Sequence, residues 1–260
     1  MDVSDGVLNI VPTRKPLIRL FAERVAERVE GLRIVDYCLC LSGGYVVVEG
    51  ARGRAMGFAH IPHEDLHDVG DVKIPKLEEI PEFVIDINPL NRVLGVAMLN
   101  AVSQYHLNEV KPTSIDSYLK EEPICLIGNM YPLAEKLRAQ GRKVWVFERS
   151  PYLRMKAMSD VEEEILLPLC KTLVITGMTL LNFTLDRVLQ LSNGLNILTG
   201  PTAGVHPDFV KGTKIHILAS MKLNIEEAVK HLKLGNYISL AIHKNLGIPY
   251  VIDLRTYWNR

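Results

Sequence analysis

Three short turns in the second half of the chain carry polar groups suited to gripping a ligand. The first, ICLIGNMYP at 124–132, sets Gly128 and Asn129 behind four apolar residues. The second, VITGMTLLNFT at 174–184, arranges Thr176, Thr179, Asn182 and Thr184 around Gly177. The third, LTGPT at 198–202, offers Gly200, Pro201 and Thr202. In a parallel α/β sheet such turns gather at the carboxyl ends of the strands, where ligands bind. Hydroxyls and an amide orient a polar ligand, but they are poor general acids or bases because their pKa values lie far from neutrality. The competing use of the second turn is capping of the next helix by Asn182 or Thr184.

The first turn invites comparison with the dinucleotide fingerprint. That motif needs glycine at three positions; Gly128 supplies one, and Met130 and Leu133 occupy the others. A side chain at the second position keeps a pyrophosphate from the backbone, which speaks against NAD or FAD. Glu148 follows Gly128 by 20 residues, at the end of the next strand. A carboxylate there accepts hydrogen bonds from a ribose diol, unless it is a solvated strand-end charge. His206 lies beyond the third turn and is expected in a surface loop, titrating near neutrality.

Metal-type spacing occurs once. His60, His63 and His67 place three imidazoles within eight residues, and a helix over 63–67 puts two of them on one face. A divalent or heavy metal is the cofactor that pattern suggests. Pro62 interrupts regular structure there, so a surface cluster is the alternative. Upstream of the three turns, Asn100, Ser103 and Gln104 form a polar stripe on an otherwise apolar helix, facing either a cleft or solvent.

The bulk numbers exclude several classes. Lys+Arg and Asp+Glu balance at 30 each, so no field of one sign calls for nucleic acid or an anionic membrane. No apolar run reaches the ~18 residues of a spanning helix. The acidic start MDVSDG lacks the basic region of a signal peptide, and a cytoplasmic location is expected. The four cysteines, Cys38, Cys40, Cys125 and Cys170, are expected to be buried reduced thiols. A homodimer is the base-rate expectation for a partner.

The elements that must position these residues read as two blocks. Residues 14–29 carry a helical stripe at Ile18, Phe21, Val25 and Val29, with Thr13 as N-cap. Strands at 33–41, 45–49 and 54–61 follow as an antiparallel meander, with a hairpin signal at 42–44 and glycines 43, 44, 50 and 53 read as turn residues. A proline-rich loop spans 60–82, a helix 91–107, and a linker 111–122. From there the pattern alternates: strands at 124–127, 143–147, 172–175, 196–198 and 214–218, with helices between them and an edge strand at 248–252. Short apolar strands alternating with amphipathic helices define an α/β class with a parallel sheet covered on both faces. The expected domains are 1–118, a smaller α+β unit, and 119–260, the parallel-sheet unit.

With VFERSP at 146–151 and LGVAMLNA at 94–101 added to the three turns, the chain resembles a little-characterised prokaryotic family of heavy-metal chelation proteins. The resemblance is strongest over 123–218. It implies an N-terminal domain like that of the enolase superfamily, joined to a Rossmann-like domain, with a site in the cleft between them. Carried over residue by residue, that site draws on Asn100, Gly128, Glu148, Thr176, Gly177 and Thr179, and on Asn182, Gly200, Pro201 and Thr202. The matched motifs hold no Cys or His cluster for a soft metal. The metal role that the resemblance implies then takes one of two forms: the metal arrives as a complex with a small organic chelator, or the protein helps make or modify such a chelator. The expected function is binding of a small polar ligand in the cleft by an enzyme; the alternative is a non-catalytic binder of a metal or metal complex, using His60, His63 and His67 or the cleft.

Overall fold

A computed structural model describes residues 15–240 and 244–259. Helix α1 (Leu17–Ala26) buries Ile18, Phe21, Ala22 and Val25. Its expected cap, Thr13, lies outside the described residues. Strands β1 (Arg33–Leu39), β2 (Gly43–Gly50) and β3 (Gly53–His60) form an antiparallel sheet in the order β1-β2-β3. Gly43, Gly44 and Gly50 belong to β2 itself rather than to the turns alone. The short α2 (Ile80–Phe83) leads to the long α3 (Pro89–His106), capped by the Asn88 side chain.

The second part runs β4 (Ile124–Ile127), α4 (Tyr131–Ala139), β5 (Val144–Phe147), α5 (Glu163–Leu166), β6 (Thr172–Thr176), α6 (Leu185–Leu191), β7 (Leu195–Thr199), β8 (Ile217–Leu223), α7 (Ile225–Lys233), β9 (Gly247–Asp253) and α8 (Leu254–Tyr257). The sheet order is β5-β4-β6-β7-β8-β9, parallel throughout except for β9, which runs antiparallel along β8. The chain steps from β4 outward to β5, then returns to the other side of β4 with β6. That reversal makes the gap between β4 and β6 a topological switch point.

The two parts share their cores. Val46 and Val48 of β2 join α1, α3 and the second sheet in one apolar cluster. Tyr45 and Val47, on the opposite face of the same strand, pack with Ala228 and Leu232 of α7. Because side chains alternate along a strand, a run buried on both faces has to be apolar at successive positions, as 45–48 is. The segment read as a linker is also pinned. The Thr113 N–H donates to the Pro249 carbonyl (3.1 Å), and Thr113 Oγ accepts from the Val251 N–H (2.8 Å).

The cysteines depart from the reduced state expected of them. Cys38 pairs with Cys40 and Cys125 with Cys170 as disulfides, at Cα separations of 5.5 and 6.0 Å, within the usual span. β1 ends at Leu39, so Cys40 leaves the strand and turns back toward Cys38. Cys170 precedes β6, which lies beside the β4 strand that carries Cys125. Among the described residues no helix is long and apolar enough to cross a membrane.

Candidate functional site

The sheet and the N-terminal part enclose a cleft of about 1620 Å³ at the carboxyl ends of the parallel strands. Gly128 sits at the end of β4 with φ +96°, and an added Cβ would lie 2.8 Å from Thr176 Cγ2 at the end of β6. Only glycine lets the two strand ends approach this closely at the switch point. Asn129 follows, its side chain donating to the Leu153 carbonyl (2.6 Å).

Glu148 ends the neighbouring strand. One carboxylate oxygen accepts the Asn129 N–H (2.8 Å) and the other the Ser150 N–H (2.8 Å). It therefore ties the β4 turn to the β5 turn, with lone pairs left for a ligand. In the second turn, Thr176 Oγ accepts the Met178 N–H (3.4 Å), and Thr179 donates to the Thr176 carbonyl (2.8 Å). Asn182 Oδ1 accepts from both the backbone and the hydroxyl of Thr184. The Asn182 amide nitrogen has no partner among the described residues and is the donor left over at the cleft wall. Thr184 holds the N-cap position of α6, but its hydroxyl accepts no capping hydrogen bond from the helix.

In the third turn, the Gly200 carbonyl accepts from Ser220 (2.9 Å). Thr202 is nearly fully buried and faces His60. The His60 N–H donates to Thr202 Oγ (3.1 Å), and the ring Nδ1 lies 2.9 Å from the same atom. His60 Nε2 donates to the Ile238 carbonyl (2.9 Å), which leaves Nδ1 to accept from the threonine hydroxyl. With both ring nitrogens engaged and burial pulling its pKa down to about 4, His60 is a neutral strut between the two parts.

Ten of the eleven ligand residues expected from the sequence, Gly128, Asn129 and Glu148 through the second and third turns, line this cleft. Asn100 does not. It is buried in α3, and its amide donates to the Phe58 carbonyl (2.9 Å) and the Thr202 carbonyl (2.8 Å), clamping β3 to the third turn. Gln104, one turn along, likewise donates to the Gly204 carbonyl and the Tyr250 hydroxyl. Asn100 and Gln104 of the polar stripe on α3 thus form the seam between the parts, while the buried Ser103 hydroxyl has no partner among the described residues. Asn100→Ala leaves two buried carbonyls short of a donor and is expected to lower stability by about 2–4 kcal/mol. An unchanged urea midpoint would refute the clamp.

The histidine cluster does not assemble. His60 is committed as described, and His63 is exposed on the cleft rim. His67 is exposed away from the cleft, its Nδ1 accepting the Val69 N–H (3.3 Å). Residues 63–65 form a 3-10 turn that ends before Leu66, so 63 and 67 never share a helix face. Among the described residues, no three His, Cys, Asp or Glu side chains converge in a metal-holding arrangement. His206, expected in a surface loop, is buried instead. Its Nδ1 accepts the Asp208 N–H (3.2 Å), and burial lowers its pKa.

Two cleft residues escaped the sequence reading. Glu163, at the start of α5, is only 9 % exposed and has no hydrogen-bond or ionic partner among the described residues. Burial, with the charges of Asp160 and Glu148, pushes its pKa up to about 7. The Ser150 hydroxyl, 2 % exposed, also lacks a partner. In the sequence Glu163 is the middle of three consecutive glutamates at a helix start, where acidic residues are ordinary. Nothing local separates it from its neighbours.

The cleft is negative. Each lysine and arginine on its lining is already paired: Lys136 with Asp116 (2.7 Å), Arg149 with Asp65 across the cleft, and Arg187 with Glu164. Glu64, Glu148, Asp160 and Glu163 line it without a cationic partner among the described residues.

A two-part α/β protein with a cleft at its switch point has relatives. Residues 112–240 match the family described as "Putative heavy-metal chelation" (DUF364), and residues 22–103 match a companion family of the same description (DUF4213). An uncharacterised protein of Methanocaldococcus jannaschii is 35 % identical over 244 residues, covering 88 % of this chain and 93 % of its own length. The crystal structure of a DUF364-family protein of unknown function from Pyrococcus horikoshii is 34 % identical. It aligns with a TM-score of 0.82 over 91 % of this chain and 99 % of its own. A second DUF364-family structure, from Desulfitobacterium hafniense, is 15 % identical with a TM-score of 0.68 over 91 % of this chain and 98 % of its own, a likeness of fold alone. The chain belongs to the DUF364 heavy-metal chelation family.

Proposed function

We propose that this protein binds a small polar organic ligand in the cleft and acts on it as an enzyme, in the handling of metals through an organic chelator. The observation that carries this reading is the position of the cleft. It opens where the order of the parallel strands reverses, and its wall is made by three turns rich in hydroxyl, amide and carboxylate groups. The likeness to enolase N-terminal and Rossmann-like domains supports a site between the two parts, and the family's description supports the link to metals. The negative lining argues against a phosphate-bearing ligand, and so against a dinucleotide. In this reading Glu148 accepts from ligand hydroxyl or amine groups, and the free amide nitrogen of Asn182 donates to a ligand oxygen.

Native mass spectrometry of untagged protein purified without chelator, with metal analysis of the same sample, tests the proposal. The expected result is a small organic mass near one per chain, reduced at least tenfold in Asn182→Ala while the fold persists. Metal retained without organic mass, and lost in His63→Ala with His67→Ala, would replace the reading by a metal site on the loop. Neither organic mass nor metal would leave the proposal without its ligand and overturn it.

A further inference from the structure

The acidic end of the cleft holds two buried polar side chains that the fold leaves without a partner. Glu163 and Ser150 are both more than nine-tenths buried, both line the cleft, and neither has a partner among the described residues. A buried carboxylate normally acquires a partner, because leaving it unpaired costs several kcal/mol, roughly, in lost solvation. Every lysine and arginine on the lining is engaged elsewhere. The nearby guanidinium of Arg154 donates to the backbone carbonyls of Glu148 and Arg149 rather than to any carboxylate. Among the described residues no cationic side chain pairs with Glu163, Glu148 or Asp160.

We propose that Glu163 and Ser150, flanked by Glu148 and Asp160, form a subsite for a protonated primary amine of the ligand. This rests on the cleft being the ligand site. An ammonium group brings three N–H donors and one positive charge, matching a carboxylate and a hydroxyl that both accept. The converged set of three metal-ligating side chains that a bare metal ion would favour is absent among the described residues. An amine-bearing chelator or its precursor fits the same chemistry.

Binding is coupled to protons. Glu163 has Asp160 on its own turn and Glu148 at the end of β5 as neighbouring acids, and the adjacent Glu164 is neutralised by Arg187. It retains its proton up to about pH 7. An arriving ammonium displaces that proton, so binding strengthens as pH rises from 6 to 8, by about tenfold for one group titrating at 7.

Isothermal titration of the full chain with 1,3-diaminopropane and spermidine tests this at pH 6 and pH 8, in buffers of different ionisation heat. 1,3-Propanediol serves as the neutral match, and Mg²⁺, Zn²⁺ and Ni²⁺ as metal arms. The expected result is amine binding that is tighter at pH 8, releases protons near pH 7, and weakens at least tenfold in Glu163→Gln. Ser150→Ala, a milder change, is expected to weaken it several-fold. Equal binding by Glu163→Gln overturns the subsite. Propanediol binding as well as the diamine overturns it too, while leaving the cleft as a ligand site. A metal ion that binds through Glu163 where amines do not assigns the cation to a metal and overturns the amine. Absence of binding by amines and diol alike counts against both the subsite and the cleft.

Discussion

Gly57→Ala is expected to yield no stably folded protein. Gly57 lies in β3 under α3, and a Cβ built on it would come within 2.1 Å of both the Ala97 carbonyl oxygen and the Ala101 backbone nitrogen. These are backbone atoms of a helix interior and cannot swing aside as a side-chain tip can. Relief requires lifting α3 off the sheet. That would pull the Asn100 amide away from the Phe58 and Thr202 carbonyls that it joins at 2.9 and 2.8 Å. Overpacking and a broken buried hydrogen-bond clamp then act together, for a loss of at least about 4 kcal/mol. Gly141→Ala provides the contrast. Its φ is +75°, but an added Cβ meets nothing within 4 Å, so only the backbone conformation is penalised, by roughly 1–2 kcal/mol. Soluble yield and urea unfolding of the two variants measure the difference. A Gly57→Ala protein that unfolds at the wild-type midpoint would show that α3 and β3 are not in backbone contact.

Glu163→Gln is expected to stabilise the protein at alkaline pH and to change little at acid pH. The unfolded chain loses the Glu163 proton near 4.5, whereas the folded chain holds it to about 7. Between those values the folded state binds more protons than the unfolded one, so this group's contribution to stability falls as pH rises. The contribution is intact below about 4.5 and fully lost above about 7; the gap corresponds to about 3 kcal/mol. A neutral glutamine removes the dependence. The variant is therefore expected to lie within about 1 kcal/mol of wild type near pH 5 and to exceed it by up to about 3 kcal/mol near pH 8. Asp86 and Asp253, whose pKa values are lowered, lose stability as pH falls through the acid range, and neutral His60 does so below its ordinary value; both proteins share these effects. Subtracting the two unfolding free energies at each pH cancels them. A difference that is the same at pH 5 and pH 8 would mean that Glu163 ionises as an ordinary solvated acid. The result also bears on function, because a group that titrates near neutrality beside a ligand is suited to exchange a proton with it.

Much of the cleft wall could be read from the chain because its signals are local. A short, mostly apolar run ended by glycine and polar residues identifies a strand and the turn at its carboxyl end: ICLIGN at 124–129, TLVITG at 172–177 and LNILTG at 195–200 are variants of that form. Asn224 followed by two glutamates marks the start of α7, and Asn224 does cap it. The alternation of strand and helix then implies a parallel sheet, and a parallel sheet brings those turns to one edge.

Contacts between distant segments left no local trace, and only the tertiary structure decided them. Asn100 reads as a polar residue facing either a cleft or water, yet it is bonded to carbonyls 42 and 102 residues away. His60 has metal-type spacing with His63 and His67, but Thr202 and Ile238 claim both its ring nitrogens. Cys125 finds Cys170 across a separation of 45 residues because β4 and β6 are neighbours. Glu163 is one of three adjacent glutamates, and its burial depends on where the tertiary fold sets α5, beside α6 and on the cleft wall. Spacing along the chain sets the period of strands and helices and the chemistry of their caps. Whether a polar atom is spent on the fold or left for a ligand depends on which distant atoms reach it, and here that separates the Asn100 amide nitrogen and the His60 ring from Glu163 and the Ser150 hydroxyl.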